Sequence, residues 1–342
     1  MHMRIALDVM GSDHNPVPDI AGAVAAAREF ADTTILLVGD ERLIHDELKK
    51  HEHTGLKLEI IPAPEAVTMT DKPSVVGKAK PNSSMHIGMN LVKAGQADGF
   101  VTAGNTGAVL SIATLFTLRR IPGVKRPALT AMFGFANTTL IVLDVGANAD
   151  CKPDWLAQFA LMGNIYAKSA LPSPSPRIGI LSNGEEEGKG NDLIRAASDL
   201  IRELPLNFVG NIEPKQMLSG EADVIVADGF VGNILIKSME AATKKMAETL
   251  RTELTSTVLS TLGAALSRSA FKRVQRQVDP AEVGGAPLLG VNGVVIIGHG
   301  SSNAKAIKNA IGQARKAASA NLVETIRSEL ERTGSIAGME RD

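Results

Sequence analysis

Short hydrophobic runs alternate with longer, mixed segments along most of the chain. The runs are rich in Val, Ile and Leu and end near Asp, Gly or Pro, a pattern typical of buried strands. They predict strands at 4–9, 34–38, 58–61, 99–102, 177–181, 206–209, 224–227 and 294–297. The segments between them predict helices at 16–30, 39–50, 82–93, 153–170, 233–278 and 302–332, and another that ends at 118. This alternation predicts a mainly parallel sheet covered by helices, the α/β class.

Two regions depart from the alternation. Hydrophobic runs at 128–133 and 139–145 are separated by a short turn, which predicts an antiparallel insertion. Residues 62–80 contain three prolines and are predicted to be irregular. The chain of 342 residues is too long for one comfortable core, so we expect two lobes.

The sequence Ala-Asp-Gly-Phe-Val occurs twice, at 97–101 and at 227–231. Each copy belongs to a segment where a predicted strand passes into a helix, and we call these segments the first corner (97–110) and the second corner (221–240). Ligands of open α/β sheets bind at such turns, where glycine permits close approach and free N–H groups attract anions. Two corners predict a crevice for an anion, although either alone is more typical of an ordinary tight turn.

Composition excludes several classes of function. The formal net charge is −1 and aromatic residues make up 3%, which argues against nucleic acid as a partner. A single cysteine, Cys151, excludes an internal disulfide and fits a reducing cytoplasm; we expect a small buried side chain there rather than a nucleophile. The longest apolar region, 128–149, is interrupted by Asn137 and Asp144 and is too broken to span a bilayer.

Further candidate chemistry lies in two short segments. Residues 184–191 (GEEEGKGN) resemble a nucleotide-binding loop, but the glycine spacing is one residue short and no Ser or Thr follows Lys189. Lys189 is either a phosphate ligand or part of a solvated acidic loop. His299 follows a predicted strand and is either a proton donor or a turn residue. Metal binding by His45, His51 and His53 has little support, because no carboxylate or cysteine pattern accompanies them.

Nine motifs, in order along nearly the whole chain, resemble one family. They are IALDVMGSD (5–13), KPNSSM (80–85), DGFVTAGNTGA (98–108), IPGVKRPAL (121–129), LDVGANADCKP (143–153), GEEEGKGN (184–191), SGEADVIVADGFVGN (219–233), GGAPLLGVNG (284–293) and HGSSNAKA (299–306). The chain resembles the bacterial phosphate acyltransferases of phospholipid synthesis, the PlsX family.

The resemblance implies a three-layer α/β/α fold with two lobes and a cleft, similar to phosphotransacetylases and to isocitrate and isopropylmalate dehydrogenases. We expect one catalytic unit over 1–342, with lobe one at about 1–137 plus 295–342 and lobe two at about 138–294. The implied reaction moves a long-chain acyl group from acyl carrier protein to inorganic phosphate, giving acyl phosphate, without a nucleotide, cofactor or metal. Two positions depart from the family pattern: Ser12 stands where glycine is expected, and Lys215 where arginine is expected, which loses a bidentate fork.

Site roles follow from the electrostatic demands of this reaction. Phosphate binding is assigned to Gly104, Asn105, Thr106, Arg126, Asn183, Lys189, Gly190 and Asn191. The oxyanion is assigned to Asn233 and the backbone at Gly232, with His299 as a proton donor and Asp228 as an orienting group.

Partner surfaces are expected on basic and apolar segments. The face for carrier protein or membrane is assigned to Arg119, Arg120, Leu262, Leu266 and Arg273. The helical region 233–278 is interpreted first as a homodimer contact and, in addition, as a peripheral membrane contact near the enzyme that consumes acyl phosphate. The expected location is the cytoplasm, including the inner face of the cell membrane. The alternatives are a phosphotransacetylase-like enzyme using short acyl-CoA and a non-catalytic scaffold for carrier protein or membrane.

Overall fold

The computed structural model describes residues 2–135, 138–171 and 173–333. Among these residues eleven strands form one sheet, in the order β3-β2-β1-β4-β11-β10-β5-β6-β9-β7-β8. The strands are β1 Met3–Asp8, β2 Thr33–Gly39, β3 Leu58–Pro62, β4 Gly99–Thr102, β5 Ala128–Phe135, β6 Thr138–Leu143, β7 Arg177–Leu181, β8 Asn207–Ile212, β9 Val224–Val226, β10 Ala286–Leu289 and β11 Val295–Ile297.

Helices connect most of the strands. They are α1 Val17–Glu29, α2 Glu41–Leu48, α3 Pro73–Ala79, α4 Ser84–Lys93, α5 Thr106–Ser111, α6 Pro153–Ala170, α7 Asp192–Arg202, α8 Pro214–Ser219, α9 Gly229–Leu254, α10 Val258–Leu266, α11 Arg268–Val278, α12 Pro280–Val283, α13 Ala304–Ser319 and α14 Leu322–Thr333. A π-helical turn, Ile112–Phe116, extends α5.

The sheet is buried on both faces, as the α/β prediction requires. Along β1, Ile5 and Leu7 belong to one hydrophobic cluster, while Ala6 belongs to another that contains Met85 and Phe100. Neighbouring side chains of a strand point to opposite faces, so both faces of β1 meet apolar cover. The three-layer α/β/α prediction is confirmed by this packing.

Strand direction divides the sheet into two parallel sets. β1, β2, β3, β4 and β11 run in one direction. Between the sets, β10 is antiparallel to both β11 and β5, and β5 is antiparallel to β6, which confirms the antiparallel insertion. β6, β9, β7 and β8 are parallel to one another and therefore run opposite to the first set. The carboxyl ends of the two sets lie at opposite ends of the sheet, and the two-lobe boundaries stay a prediction.

Several predicted boundaries were wrong. The expected helix 233–278 is three helices, and α9 begins at Gly229 because the side chain of Asp228 caps its first turn. Residues 62–80 were expected to be irregular, yet Pro73 occupies the first turn of α3, where its missing N–H is harmless. The expected helix 302–332 breaks at Asn321, whose φ is 49°. β10 lies in a glycine-rich stretch and was not predicted.

The helices α9, α10 and α11 leave much apolar surface exposed. α9 has 26 residues but buries only Gly229, Gly232 and Ile236, and α10 buries none. Leu266 is 88% exposed. Across the described ranges, none of the helices combines the length and apolar character that crossing a bilayer requires.

Candidate active site

The first corner is a closed network of buried polar groups at the end of β1 and β4. Asp8 accepts hydrogen bonds from the Thr102 hydroxyl (2.8 Å) and the Met10 N–H (3.0 Å), and the Gly104 N–H donates to the Thr102 hydroxyl (3.0 Å). Burial raises the pKa of Asp8, against the opposing effect of its hydrogen bonds. A Cβ on Gly11 would lie 2.9 Å from the Gly104 nitrogen, so the two glycine turns touch.

Of the predicted phosphate-binding N–H groups at the first corner, that of Gly104 is already engaged, while the Asn105 side chain holds the local structure. The Asn105 side chain caps α5 by accepting from the Ala108 N–H (3.1 Å). Its amide also donates to the carbonyls of Met69 (3.2 Å) and Asp71 (3.1 Å), which fixes a neighbouring loop. The Gly104 N–H already has the Thr102 hydroxyl as acceptor. Thr106 is exposed at the start of α5, and its N–H has no partner within the helix.

His299 lies on the loop that follows β11 and borders the first corner. The Gly300 carbonyl accepts a hydrogen bond from the Asp13 N–H (2.8 Å). The His299 side chain is exposed, and its Nδ1 accepts from the Ser301 N–H (3.2 Å). An accepting Nδ1 places the proton of the neutral ring on Nε2, so Nε2 is the nitrogen able to donate a hydrogen bond.

Ser12, the first departure from the family pattern, adds a contact that glycine could not make. Its hydroxyl donates to buried Asp19 at 2.5 Å, and the other oxygen of Asp19 has no partner among the described residues. Burial raises the pKa of Asp19 to about 7. Lys215, the second departure, is exposed on α8 directly after Pro214.

The second corner is organised around helix α9. Asp228 accepts from the N–H groups of Phe230 (3.0 Å) and Val231 (2.8 Å), so it is a helix cap, and its orienting role in the reaction stays a prediction. The Gly232 N–H donates to the Asp228 carbonyl within α9. The prediction that this backbone group serves the oxyanion was therefore wrong, because the helix begins four residues earlier than expected. Asn233 is exposed, and its amide lies beside Gly146.

The 184–191 loop exposes Lys189, and two of its three glutamates bond to residues outside the loop, while a carboxylate oxygen of Glu186 lies beside Gly184. Glu185 accepts from the Gln216 amide (3.1 Å), and Glu187 pairs with Arg202 (3.0 Å). Lys189 is exposed, its stem packs against Gly184, and its ammonium has no ion pair in the described part of the chain. Because β7 is next to β9, this loop begins one strand spacing, about 4.8 Å, from the strand that feeds the second corner.

The remaining predicted residues of this loop hold its shape. The Gly190 N–H donates to the Asn183 side chain (3.0 Å), and Asn191 caps α7 by accepting from the Ile194 N–H (3.0 Å). Gly190 has a φ of 91°, a conformation that favours glycine. The Gly190 N–H is thus engaged within the loop, whereas the Asn191 cap uses only the side-chain oxygen, so the Asn191 NH₂ group as a phosphate donor stays a prediction.

Arg126 completes the set of free groups at this end of the sheet. It precedes β5, whose first residues pair with the end of β6. Its guanidinium carbon lies 4.8 Å from the centre of the Trp155 ring, a cation–π contact that sequence reasoning missed. The structure therefore places the segments that carry Arg126, Lys189, Asn233 and Asp228 at one edge of the sheet, at the carboxyl ends of β6, β9 and β7. Gly104, Asn105, Thr106 and His299 belong to the other set of strands.

Cys151 lies behind the second corner and is partly buried. Burial, assisted by the nearby carboxylates of Asp144 and Asp228, raises the pKa of its thiol to about 12. A thiol with so high a pKa is a poor nucleophile at neutral pH.

The predicted partner face falls on two surfaces. Arg119 and Arg120 are exposed near the β10–β11 connection, where the Arg120 guanidinium donates to the Lys125 carbonyl. Leu262 is 59% exposed on α10, and Arg273 is exposed on α11.

Comparison with known proteins defines the class first. A phosphotransacetylase from Streptococcus pyogenes superimposes with a TM-score of 0.61 at 19% identity, covering 94% of each chain. A branched-chain phosphotransacylase from Enterococcus faecalis V583 gives 0.56 at 14% identity, covering 92% of this chain and 99% of that one. The fold is therefore phosphotransacetylase-like, as predicted.

Sequence comparison then gives the family. The family model described as "Fatty acid synthesis protein" matches residues 3–325, and the chain belongs to that family. It is 45% identical to the phosphate acyltransferase of Trichlorobacter lovleyi, over 96% of this chain and 94% of that protein. It is 47% identical to the phosphate acyltransferase of Geobacter sp., over 90% and 87%. The predicted family and its enzyme class, acyltransferase, are confirmed.

Proposed function

We propose that the chain transfers a long-chain acyl group from acyl carrier protein to inorganic phosphate, giving acyl phosphate for phospholipid synthesis. A phosphate oxygen forms a bond to the thioester carbonyl carbon, and the carbon–sulfur bond then breaks to release the carrier thiolate. The observation that carries this proposal is the placement of Lys189, Arg126 and Asn233 at one edge of the sheet, with side-chain charges and an amide that have no hydrogen-bond partner among the described residues. Names of relatives 45–47% identical over most of the chain support phosphate as acceptor.

The chemistry requires little acid–base assistance. Phosphate is partly dianionic near neutral pH and a thiolate leaves readily, so positioning and charge neutralisation dominate. In the proposed arrangement Lys189 and Arg126 hold phosphate, and the Asn233 amide donates to the developing oxyanion. Phe230 and Ile234 are 60% and 51% exposed beside Asn233 and offer apolar contact to the acyl chain.

We infer that the first corner faces the same cleft from lobe one, with the Nε2–H of His299 directed toward the thiolate. The two sets of strands run in opposite directions, but β4 and β9 are five steps apart in the sheet. At about 20–25° of twist per step, the accumulated rotation is roughly 100–125°. Because this rotation offsets much of the reversal in strand direction, the two carboxyl ends point roughly 55–80° apart instead of back to back, which supports a shared cleft.

Two sets of exposed residues support the proposed partners. Carrier proteins are acidic as a class. The proposed docking residues are therefore Arg119 and Arg120 on one surface and Arg273 on α11. The uncovered apolar residues of α9 and α10 support a homodimer contact, with the tip at Leu262 and Leu266 as the proposed peripheral membrane contact at the cytoplasmic side. Equal flotation of wild type and Leu262→Glu with anionic liposomes would remove the tip from that role.

The decisive experiment measures thiol release from palmitoyl carrier protein and from acetyl-CoA, each with and without inorganic phosphate. We expect phosphate-dependent release from the carrier substrate and little from the short acyl-CoA. The phosphotransacetylase-like fold makes the reverse preference the specific alternative. An Arg120→Glu variant should lose activity with the carrier-protein substrate. Unchanged activity would exclude Arg120 from docking.

A further inference from the structure

Asp144 is a fully buried carboxylate at the end of β6 that none of the proposed roles uses. One oxygen accepts from the N–H groups of Leu129 (3.0 Å), Gly146 (3.1 Å) and Ala147 (3.0 Å). The other accepts from the backbone N–H (2.7 Å) and the side-chain amide (2.8 Å) of Asn148. All five partners are donors, so the site is built for an ionised acceptor on both oxygens.

These bonds connect the segments that carry the free groups. Leu129 lies three residues after Arg126. The side-chain amide of Asn148 also donates to the Pro127 carbonyl (2.7 Å), which directly follows Arg126. Asp144 thereby fixes the backbone on the carboxyl side of the arginine at two points.

The same carboxylate fixes the start of α9. The Asn148 carbonyl accepts from the Gly229 N–H (2.7 Å). A Cβ on Gly232 would lie 1.9 Å from the Asp144 carbonyl oxygen, so helix and loop are in direct contact. Gly146, which donates to the Asp144 carboxylate, has its position for a Cβ only 3.9 Å from the Asn233 amide carbon.

We propose that Asp144 is a positioning residue. It sets the placement of Arg126, the proposed phosphate ligand, relative to Asn233, the proposed donor to the oxyanion. This inference rests on the proposed roles of those two side chains. Burial raises the pKa of Asp144, and the five N–H donors oppose that effect by stabilising the ionised carboxylate. An asparagine at position 144 would turn its NH₂ group toward N–H donors and would loosen both segments.

Asp223 provides a matched control at the other end of the same strands. It accepts from the Arg177 backbone N–H (2.7 Å) and guanidinium (2.8 Å), directly before β9 and at the first residue of β7. Asp144→Asn and Asp223→Asn each remove a well-bonded carboxylate. Only Asp144 is bonded to the segments that carry Arg126 and Asn233.

The test compares the phosphate KM, the acyl-donor KM, kcat and the melting temperature of both variants. We expect both to melt earlier, Asp144→Asn to raise the phosphate KM about 10- to 100-fold, and Asp223→Asn to leave it within about twofold. The acyl-donor KM should change little in either. An unchanged phosphate KM in Asp144→Asn, or an equal rise in Asp223→Asn, would overturn the proposal.

Asn148→Ala is the milder second variant and decides the question if Asp144→Asn does not fold. It removes the side-chain bonds to Pro127 and to the Asp144 carboxylate but keeps the backbone bonds, so we expect an intermediate rise in phosphate KM; a wild-type value would count against the proposal. Failure of the proposed function shows separately. If Arg126→Ala leaves the phosphate KM unchanged, or Asn233→Ala leaves kcat unchanged, that role assignment falls, whereas the Asp144→Asn result still reports on positioning.

Discussion

The pentapeptide Ala-Asp-Gly-Phe-Val adopts two different structures in this chain. At 97–101 it leads into β4, whose Phe100 is fully buried (0% exposed), and Asp98 accepts from the Arg4 N–H at the amino end of the strand. At 227–231 it follows β9 and opens α9, and Phe230 is 60% exposed. The comparison shows that five identical residues do not determine the local structure. The flanking residues determine it: the copy at 227–231 follows a strand and is followed by a helical pattern, whereas the copy at 97–101 leads into a strand.

The two corners also differ in how their polar groups are used. At the first corner Asp8, Thr102 and Gly104 bond one another and are buried. At the second corner the buried carboxylates bond to backbone, which leaves Arg126, Lys189 and Asn233 available. A satisfied network confers rigidity, whereas free cationic and amide groups bind an anion.

The largest expected difference concerns the two phenylalanines. Phe100→Ala should lower the free energy of unfolding by about 3–5 kcal/mol, because it empties a packed core position. Phe230→Ala should change it by less than about 1 kcal/mol, because the ring is mostly in solvent. Chemical denaturation of both variants checks this, and equal losses would contradict the structural contrast between the copies.

The free energy of unfolding should depend on pH through Asp19, a buried residue of α1. Burial raises its pKa to about 7 in the folded chain, above the unfolded value of 3.8, so the folded state holds the proton more tightly. Stability is therefore greatest at low pH with respect to this group and falls as pH rises from about 4 through 7, by up to about 4 kcal/mol. Asp19→Asn, which can still accept from Ser12, should flatten the unfolding free energy over this range; a curve that falls as steeply as wild type would contradict the assignment.

Gly232 tests the close contact at the second corner. A Cβ there would lie 1.9 Å from a backbone oxygen, while at Gly188 it would meet nothing within 4 Å. We expect Gly232→Ala to cost about 1–3 kcal/mol or more in unfolding free energy, and Gly188→Ala to be nearly neutral. Thermal unfolding of both variants checks this. Equal melting temperatures would contradict the close contact between α9 and the Asp144 carbonyl.

The smallest effect is expected at Asp228. As a helix cap, Asp228→Ala should cost about 1 kcal/mol, and Asp228→Asn much less, because asparagine caps helices equally well. If the asparagine variant kept stability but lost turnover by orders of magnitude, Asp228 would have a chemical role beyond capping.

Hydrophobic patterning was sufficient for most strands and for the fold class, because the sheet is buried on both faces and its runs are apolar. It failed where a single residue sets a boundary: the Asp228 cap, Pro73 at the start of α3 and Asn321 between α13 and α14. Patterns also could not show which predicted ligands are engaged. Asn105 and Gly190 bond to atoms distant in sequence or across a loop, and such partners exist only in the folded chain.

The central claim is that the second corner and the neighbouring Lys189 loop hold the phosphate. The direct measurement is the phosphate KM of Lys189→Ala, with Lys93→Ala, an exposed lysine at the end of α4, as control. We expect the first to raise the KM roughly 10- to 100-fold, as loss of a charged hydrogen bond implies, and the second to leave it unchanged. A wild-type KM and turnover in Lys189→Ala would contradict the account.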